Sequence, residues 1–438
     1  MGALVTEPIR VQVLREKPIE MHSRWFSASG GMLLSTLIAA PLAFGAVQPW
    51  AWASLCIASG IAFASWAAGC AATGQIRIAR SLMYALVLGA LLFVTLQFVL
   101  GKTISPVSTR EALVKFAGYA AIFFLTGQIA IGLTARQWRA LGCVLIAYVF
   151  AMAVFAISQF FSNTELIYWT MRPKWGGEIF GPYVNHNHYA GLMEIVLPLA
   201  LASVLALPER HGLKVLGWFS VVLGLASVLL CGSRGGTLAV CVEFAVFFLV
   251  LLVRPYAGIS RMTALAALAV IMIAPILFWW LDPGSVLKRW EATATAPQTA
   301  IEHRVNMTTD SMRILRENPM FGVGAGAFEE AYPHFQSWVA DGVVEHAHND
   351  YAELLAETGM TGGLLLAIAG CLGLHRAIAN LACQNALPSG LVQLGAAVAC
   401  CGLLVHSFSD FNLHIPANAA WFSAAVGLVA VSFSGTSN

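Results

Sequence analysis

The chain has 438 residues, of which 58% are hydrophobic and only 11% are charged, whereas soluble globular domains are about a quarter charged. With a mean hydropathy of +0.75, this composition excludes an ordinary soluble domain. The 24 Lys and Arg and 22 Asp and Glu leave a net charge of +2. The basic residues are scattered instead of clustered on one face, so we expect no nucleic-acid partner.

Apolar segments long enough to cross a bilayer recur along the chain. A spanning helix needs about 20 mostly apolar residues, because each backbone N–H and C=O must be hydrogen-bonded within its own segment. This criterion predicts an all-α polytopic membrane protein with about twelve transmembrane helices. The predicted spans are 28–46, 51–72, 82–100, 112–132, 140–161, 189–207, 215–231, 237–253, 263–281, 359–378, 390–405 and 420–434.

The short connections predict how the chain is oriented. Basic residues such as Arg24, Arg80, Arg136 and Arg376 fall on one side of the predicted spans, and positive residues are retained in the cytoplasm. Both termini are therefore predicted to be cytoplasmic. The chain divides into a cytoplasmic tail over 1–27, helices 1–9 over 28–281, a large outer loop over 282–358 and helices 10–12 over 359–438.

The outer loop over 282–358 is long enough that we expect it to have structure of its own. Apolar residues recur at near-helical spacing at Ile301, Val305, Met312 and Leu315. The spacing predicts a helix between Glu302 and Asn318, ended by Pro319. We expect this mostly helical loop to lie over the outer face of the bundle.

Most polar side chains that would be costly in a bilayer fall in the outer connections. They are Asn185 to His188, Ser233, Arg234, Arg304, Glu345 to Asp350, His406, Asp410 and His414. Their concentration on one side indicates a functional site there. Any single histidine on such a surface can also be merely solvated.

Arg234 lies between two predicted spans, in the segment Cys-Gly-Ser-Arg-Gly-Gly over 231–236. An arginine near membrane depth is costly and therefore suggests a function. Its planar guanidinium suits bidentate binding of a phosphate, and the neighbouring glycines allow a ligand or backbone to approach closely. The alternative is an arginine that only reaches phospholipid headgroups.

The His-x-His pairs 186–188 and 346–348 invite a metal interpretation, since imidazole is a common ligand of zinc. The signal is weak, because neither His-Glu-x-x-His nor Asp-x-Asp occurs in the chain, and we predict no metal ion and no cofactor. The nine cysteines contain no Cys-x-x-Cys pair, so a thiolate metal site is not expected either. The glycine-rich run 322–326 is interpreted as a turn after the loop helix, not as a dinucleotide site.

A longer pattern is specific to one group of enzymes. His348-Asn349, followed after nine residues by Gly359 and then by Gly362, resembles the signature of the O-antigen ligase and Wzy-type polymerase superfamily. Further similar features are Ser233-Arg234-Gly235, Arg304 and the run 316–324. The resemblance covers about 181–422, and the first third of the chain is similar only in hydropathy. The extra His346 departs from the signature.

The resemblance implies a GT-C-like glycosyltransferase at the periplasmic face of a bacterial inner membrane. The donor would be a glycan on undecaprenyl pyrophosphate, and the acceptor would be a hydroxyl of a glycan or of lipid A-core. We expect an inverting, metal-independent displacement in which His348 is the general base, Arg234 and Arg304 stabilise the leaving group, and Asp410 orients the base or an arginine. The expected substrate-binding residues are Asn349, His346, Asn187, His188 and Arg316.

Polymerase and ligase differ only in the acceptor, and the residues do not separate them. The strings 346–351 and 410–418 resemble members associated with exopolysaccharide synthesis, which favours the polymerase, with the ligase as the alternative. A secondary transporter is a second alternative. Transporters place paired charges near the bilayer midplane, whereas Glu194 and Glu243, the acidic residues well inside the predicted spans, have no evident partner there.

Overall fold

The computed structural model describes residues 10–13, 24–173, 177–208, 212–253, 256, 258–281, 284, 298–340, 342–382 and 388–433. Its regular structure is almost entirely α-helical, which confirms the predicted fold class. Most of the predicted N-terminal tail, residues 282–297 of the predicted outer loop apart from Gly284, and residue 434 of the last predicted span lie outside the described residues.

The helices follow one another along the whole described chain. They are α1 Arg24–Leu42, α2 Pro49–Thr73, α3 Met83–Val99, α4 Pro106–Ala130, α5 Ala135–Phe161, α6 His186–Ala206, α7 Gly212–Cys231, α8 Arg234–Val253, α9 Arg261–Ile271, α10 Ile273–Leu281, α11 Gln298–Glu317, α12 Phe328–Ala331, α13 Asp350–Ala382, α14 Ser389–His406 and α15 Pro416–Ala430. Short 3-10 segments cover Phe44–Ala46, Tyr332–His334 and Asn412–His414. The strands are β1 Arg10–Val13 and β2 Gln75–Ile78.

Nine helices in the described part of the chain are long and apolar enough to cross a membrane: α1, α2, α4, α5, α6, α7, α8, α13 and α14. Shorter apolar segments at Met83–Val99, Arg261–Ile276 and Pro416–Ala430 coincide with three further predicted spans. The chain is therefore a multi-pass membrane protein. The count of twelve crossings stays a prediction, as does the division of the chain into four parts.

The small sheet is absent from the sequence-based prediction. β1 pairs in parallel with β2, with Arg10 opposite Gln75 and Val13 opposite Ile78. The sequence predicts only a tail and a short connection at these two places. A four-residue strand depends on its partner more than on its own sequence, so the pairing has no local signal.

The ninth predicted span, 263–281, is interrupted. It consists of α9 and α10, with a break at Met272. Pro275 explains the break, because proline lacks the N–H that would bond the carbonyl of Ile271 and its ring clashes with that carbonyl.

Helix α6 lies at the centre of the bundle and packs against α5, α7, α8, α14 and α15. Its residues from His188 to Leu205 are all buried, as expected of a helix that is apolar all round. Glu194 is the exception in this apolar sequence, and Nδ1 of His406 on α14 lies 2.7 Å from its Oε1. The interpretation that Glu194 has no partner is therefore wrong. Glu243 is also buried, and neither of its oxygens has a hydrogen-bond partner among the described residues.

The signature glycine Gly359 interrupts α13 and fixes the outer loop to it. Its φ of 64° and ψ of −165° are accessible essentially only to glycine. A Cβ at this position would lie 2.6 Å from the carbonyl carbon of Met320, and the next residue, Met360, donates its N–H to the carbonyl of Pro319 at 2.7 Å. The turn that follows α11 is thereby held against α13.

The loop helix predicted between Glu302 and Asn318 is observed as α11, which packs against α13. Asp310 on α11 is buried and accepts hydrogen bonds from the Tyr332 hydroxyl at 3.1 Å and from the Ser337 N–H at 3.0 Å. Met307 of α11 and Phe328 of α12 belong to a small apolar cluster of buried residues. This cap positions the polar residues described next.

Candidate functional site

A cavity of about 1680 Å³ joins two chemically different regions. One region is an apolar groove between α3, α4, α13 and α15. The other region is polar and is lined by His188, His346, His348, His414 and Arg304. The cavity therefore suits a ligand with a long apolar part and a polar end. The walls of the apolar groove include Leu86, Val87, Leu91, Phe116, Phe123, Leu366 and Phe422.

His348 lies two residues before the start of α13, in a strained backbone conformation. Its φ is 49°, a left-handed value that residues other than glycine adopt rarely and often at functional sites. The next residue, Asn349, caps the helix, since its Oδ1 accepts the N–H groups of Tyr351 and Ala352 at 3.1 Å each. The structure shows Asn349 as a helix cap next to His348, and its predicted role in substrate binding stays a prediction.

Asp410 fixes the orientation of the His348 ring. Its Oδ1 lies 3.2 Å from Nδ1 of His348 and accepts the Phe411 N–H at 2.9 Å. Burial alone would raise the pKa of Asp410, but the hydrogen bond from His348 and the nearby His188 and His406 hold this pKa below its usual range. Asp410 is therefore a carboxylate and must accept the bond, so Nδ1 of His348 carries a proton. In the neutral ring Nε2 is then the acceptor nitrogen.

Three imidazoles surround the ring of Phe411. The centroids of His188 and His348 each lie 4.8 Å from it in edge-on contact, and His346 stacks on it at 4.3 Å. His188 is buried, and its Nε2 has no hydrogen-bond partner among the described residues. Asn187 lies beside it in the cavity wall. The structure thus brings together the predicted residues His346, His348, His188 and Asn187.

A second network joins α13 to the Asn412–His414 turn. Nδ1 of His414 lies 2.8 Å from Asp350 Oδ1, its Nε2 lies 3.2 Å from Glu353 Oε1, and the same oxygen lies 2.7 Å from His346 Nδ1. Burial alone would lower the pKa of His414, but Glu353 and Asp350 raise it to about 10. The sequence-based prediction assigns no role to Asp350, Glu353 or His414.

The sequence does contain one signal for this network. Asp350, Glu353 and Glu357 stand at positions i, i+3 and i+7, and this spacing places them on one face of a helix. All three are buried, although a charged stripe usually faces water. A sequence interpretation could therefore have identified the stripe, but not its histidine partner.

The three predicted arginines lie in different places. Arg304 on α11 is exposed and lines the cavity, whereas the exposed Arg316 on the same helix does not line it. Arg234 is the first residue of α8, is exposed and lies outside the cavity wall. The next residue, Gly235, packs against His406 and Ser409. Because Ser409 precedes Asp410, the start of α8 lies next to the segment that carries Asp410.

The prediction missed two cations in the cavity wall, Arg172, which lies 3.1 Å from Glu165, and Lys115. Lys115 lies on α4, and its Nζ is 5.0 Å from the centroid of the Trp52 ring. It was overlooked because it falls inside the predicted span 112–132. A lysine that faces a cavity at membrane depth suggests a function.

A model of a known protein family matches the part of the chain that contains several of the candidate residues. Residues 219–367 match the family model described as O-antigen ligase, a segment that includes Arg234, Arg304, His348 and Gly359. The match confirms the superfamily resemblance. It also confirms that the chain is an enzyme of the membrane glycosyltransferase type, without separating ligase from polymerase.

The chain was also compared with curated proteins and with solved structures. A search of curated proteins found no match. A solved structure described as "Structural coordination of polymerization and crosslinking by a peptidoglycan synthase complex" is 18% identical, with 79% of this chain and 94% of that chain covered and a TM-score of 0.41.

Proposed function

We propose that this membrane glycosyltransferase, whose segment 219–367 matches the O-antigen ligase family, transfers a glycan from undecaprenyl pyrophosphate to a hydroxyl of an acceptor glycan. The reaction is an inverting, metal-independent displacement, and the enzyme is a Wzy-type polymerase of exopolysaccharide or O-antigen. The observation that carries the proposal is the cavity, whose wall combines an apolar groove with His348, the partner of Asp410.

The cavity matches the donor in shape and polarity. Its wall on α4 extends from Ser108 to Phe123, which at 1.5 Å per residue is about 22 Å along the helix axis. An isoprenoid chain in this groove is removed from water, and its pyrophosphate then lies where the groove meets the polar region. Of the Lys and Arg residues on the cavity wall, Arg172 is paired with Glu165, and Lys115 and Arg304 are assigned to the pyrophosphate.

His348 is the general base of the proposed reaction. Its unprotonated Nε2 accepts the proton of the acceptor hydroxyl as the oxygen attacks the anomeric carbon. Asp410 stabilises the imidazolium that forms and holds the ring in the required tautomer. The bond from the anomeric carbon to the pyrophosphate oxygen breaks on the opposite face, so the configuration inverts.

The leaving pyrophosphate requires positive charge. Arg304 supplies it from the cavity wall, and we retain Arg234, at the start of α8 beside the Ser409–Asp410 segment, as a second cation. His346, His188, Asn187 and Arg316 are assigned to binding of the glycans, with Asn349 acting through its cap on α13. Lys115 is added to this set as a contact of the donor's phosphates.

The proposed location is the bacterial inner membrane, with both termini in the cytoplasm and the cavity opening to the periplasm. The support is the distribution of basic residues in the short connections, since these residues are retained on the cytoplasmic side. Fusions of a reporter active only in the periplasm should give signal at Gly342 and none at the C-terminus.

The test of the proposed function supplies the purified protein with an undecaprenyl-pyrophosphate-linked oligosaccharide, with and without lipid A-core. A ladder of longer lipid-linked glycans from the donor alone is expected of the polymerase. Product that forms only with lipid A-core would make the enzyme a ligase. Absence of glycan transfer to either acceptor, from a donor of the native host, would contradict the proposal.

A further inference from the structure

The network around Glu353 contains a compact set of metal-binding atoms. Nδ1 of His346, Oε1 of Glu353 and Nε2 of His414 all lie within 4.8 Å of one another. The three residues come from two separate parts of the chain, a loop with the start of α13 and the Asn412–His414 turn. No other cluster of this kind is found among the described residues.

We propose that His346, Glu353 and His414 bind a divalent transition-metal ion, with Zn²⁺ as the best match. Two imidazoles and one carboxylate form a common zinc ligand set. The oxygen–nitrogen separations of 2.7 Å and 3.2 Å are close to the about 3.4 Å expected between ligands of a tetrahedral zinc site. To admit the ion, Nδ1 of His346 and Nε2 of His414 must therefore move about 0.7 Å and about 0.2 Å further from Oε1 of Glu353.

The surroundings of the three ligands are arranged as around a metal. Asp350 lies 2.8 Å from Nδ1 of His414, as in the carboxylate–histidine pairs of zinc proteins. Nε2 then points to the proposed ion, which displaces the proton between Nε2 and Glu353 when it binds. Asp350 is itself held by the Ser407 hydroxyl at 2.8 Å. The Ala347 N–H donates to Oε2 of Glu353 at 2.8 Å, which leaves Oε1 as the coordinating atom.

The site has room for a fourth ligand. The side chains of His346 and His414 are each 26% exposed, and both line the cavity. Three protein ligands with one open position are typical of zinc sites that keep a water molecule. The two carboxylates Asp350 and Glu353 offset the charge of the ion.

The inferred ion joins two segments of the chain, and a water molecule completes its coordination. It would fasten the segment before α13, which carries His348, to the turn that follows Asp410. The proposed transfer places no bond-making or bond-breaking step on it, so the metal-independent displacement and the metal site are separate claims. The site is argued from its ligands and does not depend on the proposed reaction.

The experiment measures metal binding by the full chain in detergent, without substrate. Protein stripped with a chelator is titrated with Co²⁺, and bound Zn²⁺ is measured by elemental analysis after dialysis against Zn²⁺. The expected result is about one Zn²⁺ per chain and the visible absorption of four-coordinate Co²⁺. His414→Gln and His346→Asn should each weaken binding by at least about tenfold.

His334→Ala is the matched control, because His334 is an exposed histidine of the outer loop and is not in the metal-binding cluster found among the described residues. It should retain the wild-type stoichiometry. A wild-type chain that binds no more metal than His414→Gln, or that gives only octahedral Co²⁺ spectra, would overturn the inference even if a variant fails to fold. Because no glycan is present, this result is independent of the outcome of the transfer assay.

Discussion

His348 combines three features that suit a general base. It has a left-handed backbone, its Nδ1 is engaged by a buried carboxylate, and its ring lines a cavity. A strained residue persists only where its surroundings over-determine it, and here the Asn349 cap and the Asp410 contact do so. The preorganised ring needs no rearrangement before it accepts a proton.

Replacing the carboxylate of Asp410 should disturb catalysis more than binding. In Asp410→Asn the amide can donate to Nδ1 of His348 and favour the tautomer that carries its proton on Nε2. We expect kcat to fall by about 10² to 10⁴-fold, with a smaller change in KM. Initial rates over a range of donor concentrations measure both. Glu317→Gln, at an exposed carboxylate of α11, is the control, and an undiminished kcat in Asp410→Asn would remove the orienting role.

Arg304 should matter through its charge at the cavity wall. Arg304→Gln removes a cation from the proposed site of the leaving pyrophosphate, and we expect kcat/KM to fall by at least about tenfold. Lys102→Gln removes an exposed cation that does not line the cavity and should leave kcat/KM unchanged. Equal effects of the two substitutions would indicate a general electrostatic attraction instead of a specific contact.

The residues of the site differ in how far the sequence reveals them. His348 and Asp410 stand in recognisable strings, so both could be proposed without a structure. The contact between Glu353 and His414 joins residues far apart in the chain, and nothing in either local sequence specifies it. Lys115 was hidden because hydropathy alone assigns it to the interior of a span.

At the scale of elements, Gly359 shows what a signature glycine does. It breaks α13 and lets the turn after α11 approach the helix backbone. Gly359→Ala should destabilise the protein by at least about 1 to 3 kcal/mol, the cost of a strained backbone, and should also reduce activity. The matched control is Gly370→Ala on the same helix, where an added Cβ meets nothing within 4 Å. Thermal unfolding in detergent compares the two, and equal melting temperatures would show that the turn adapts.

The pair Glu194–His406 links α6 to α14 inside the bundle. Both side chains are almost completely buried, so removing one leaves an uncompensated partner. His406→Ala should lower the free energy of unfolding by about 3 to 5 kcal/mol. Glu194→Gln should lower it less in the His406→Ala background than in the wild type. Melting temperatures of the two single variants and the double variant give the coupling. Additive effects would mean that the two side chains do not interact.

The sequence predicts helices well where hydropathy determines the structure. It predicts elements poorly where pairing with a distant segment determines the structure. Most spans appear as helices because an apolar run of sufficient length has few other stable forms in a bilayer. The break at Met272 was predictable, since Pro275 is visible in the sequence, but hydropathy alone passed over it. The pairing of β1 with β2 joins segments on either side of two predicted spans and was not predictable.

At the scale of the whole molecule, the fold places an apolar groove under a polar cap. Ala369→Trp on α13 puts a large side chain into the wall of the groove, and we expect KM for the lipid-linked donor to rise at least about tenfold, because the isoprenoid loses its binding surface. Leu374→Trp on the same helix is the control, since Leu374 is 61% exposed and outside the cavity wall. Similar KM values for the two variants would place the donor elsewhere.

The central claim is that the His348 end of this cavity transfers a glycan from a polyprenyl pyrophosphate. The most direct measurement follows release of undecaprenyl pyrophosphate and formation of the glycosidic product in one bilayer, with wild type and His348→Ala assayed together. The account predicts equal amounts of the two products from wild type and a rate at least about 10²-fold lower from a folded His348→Ala variant. Wild-type rates in that variant would contradict it.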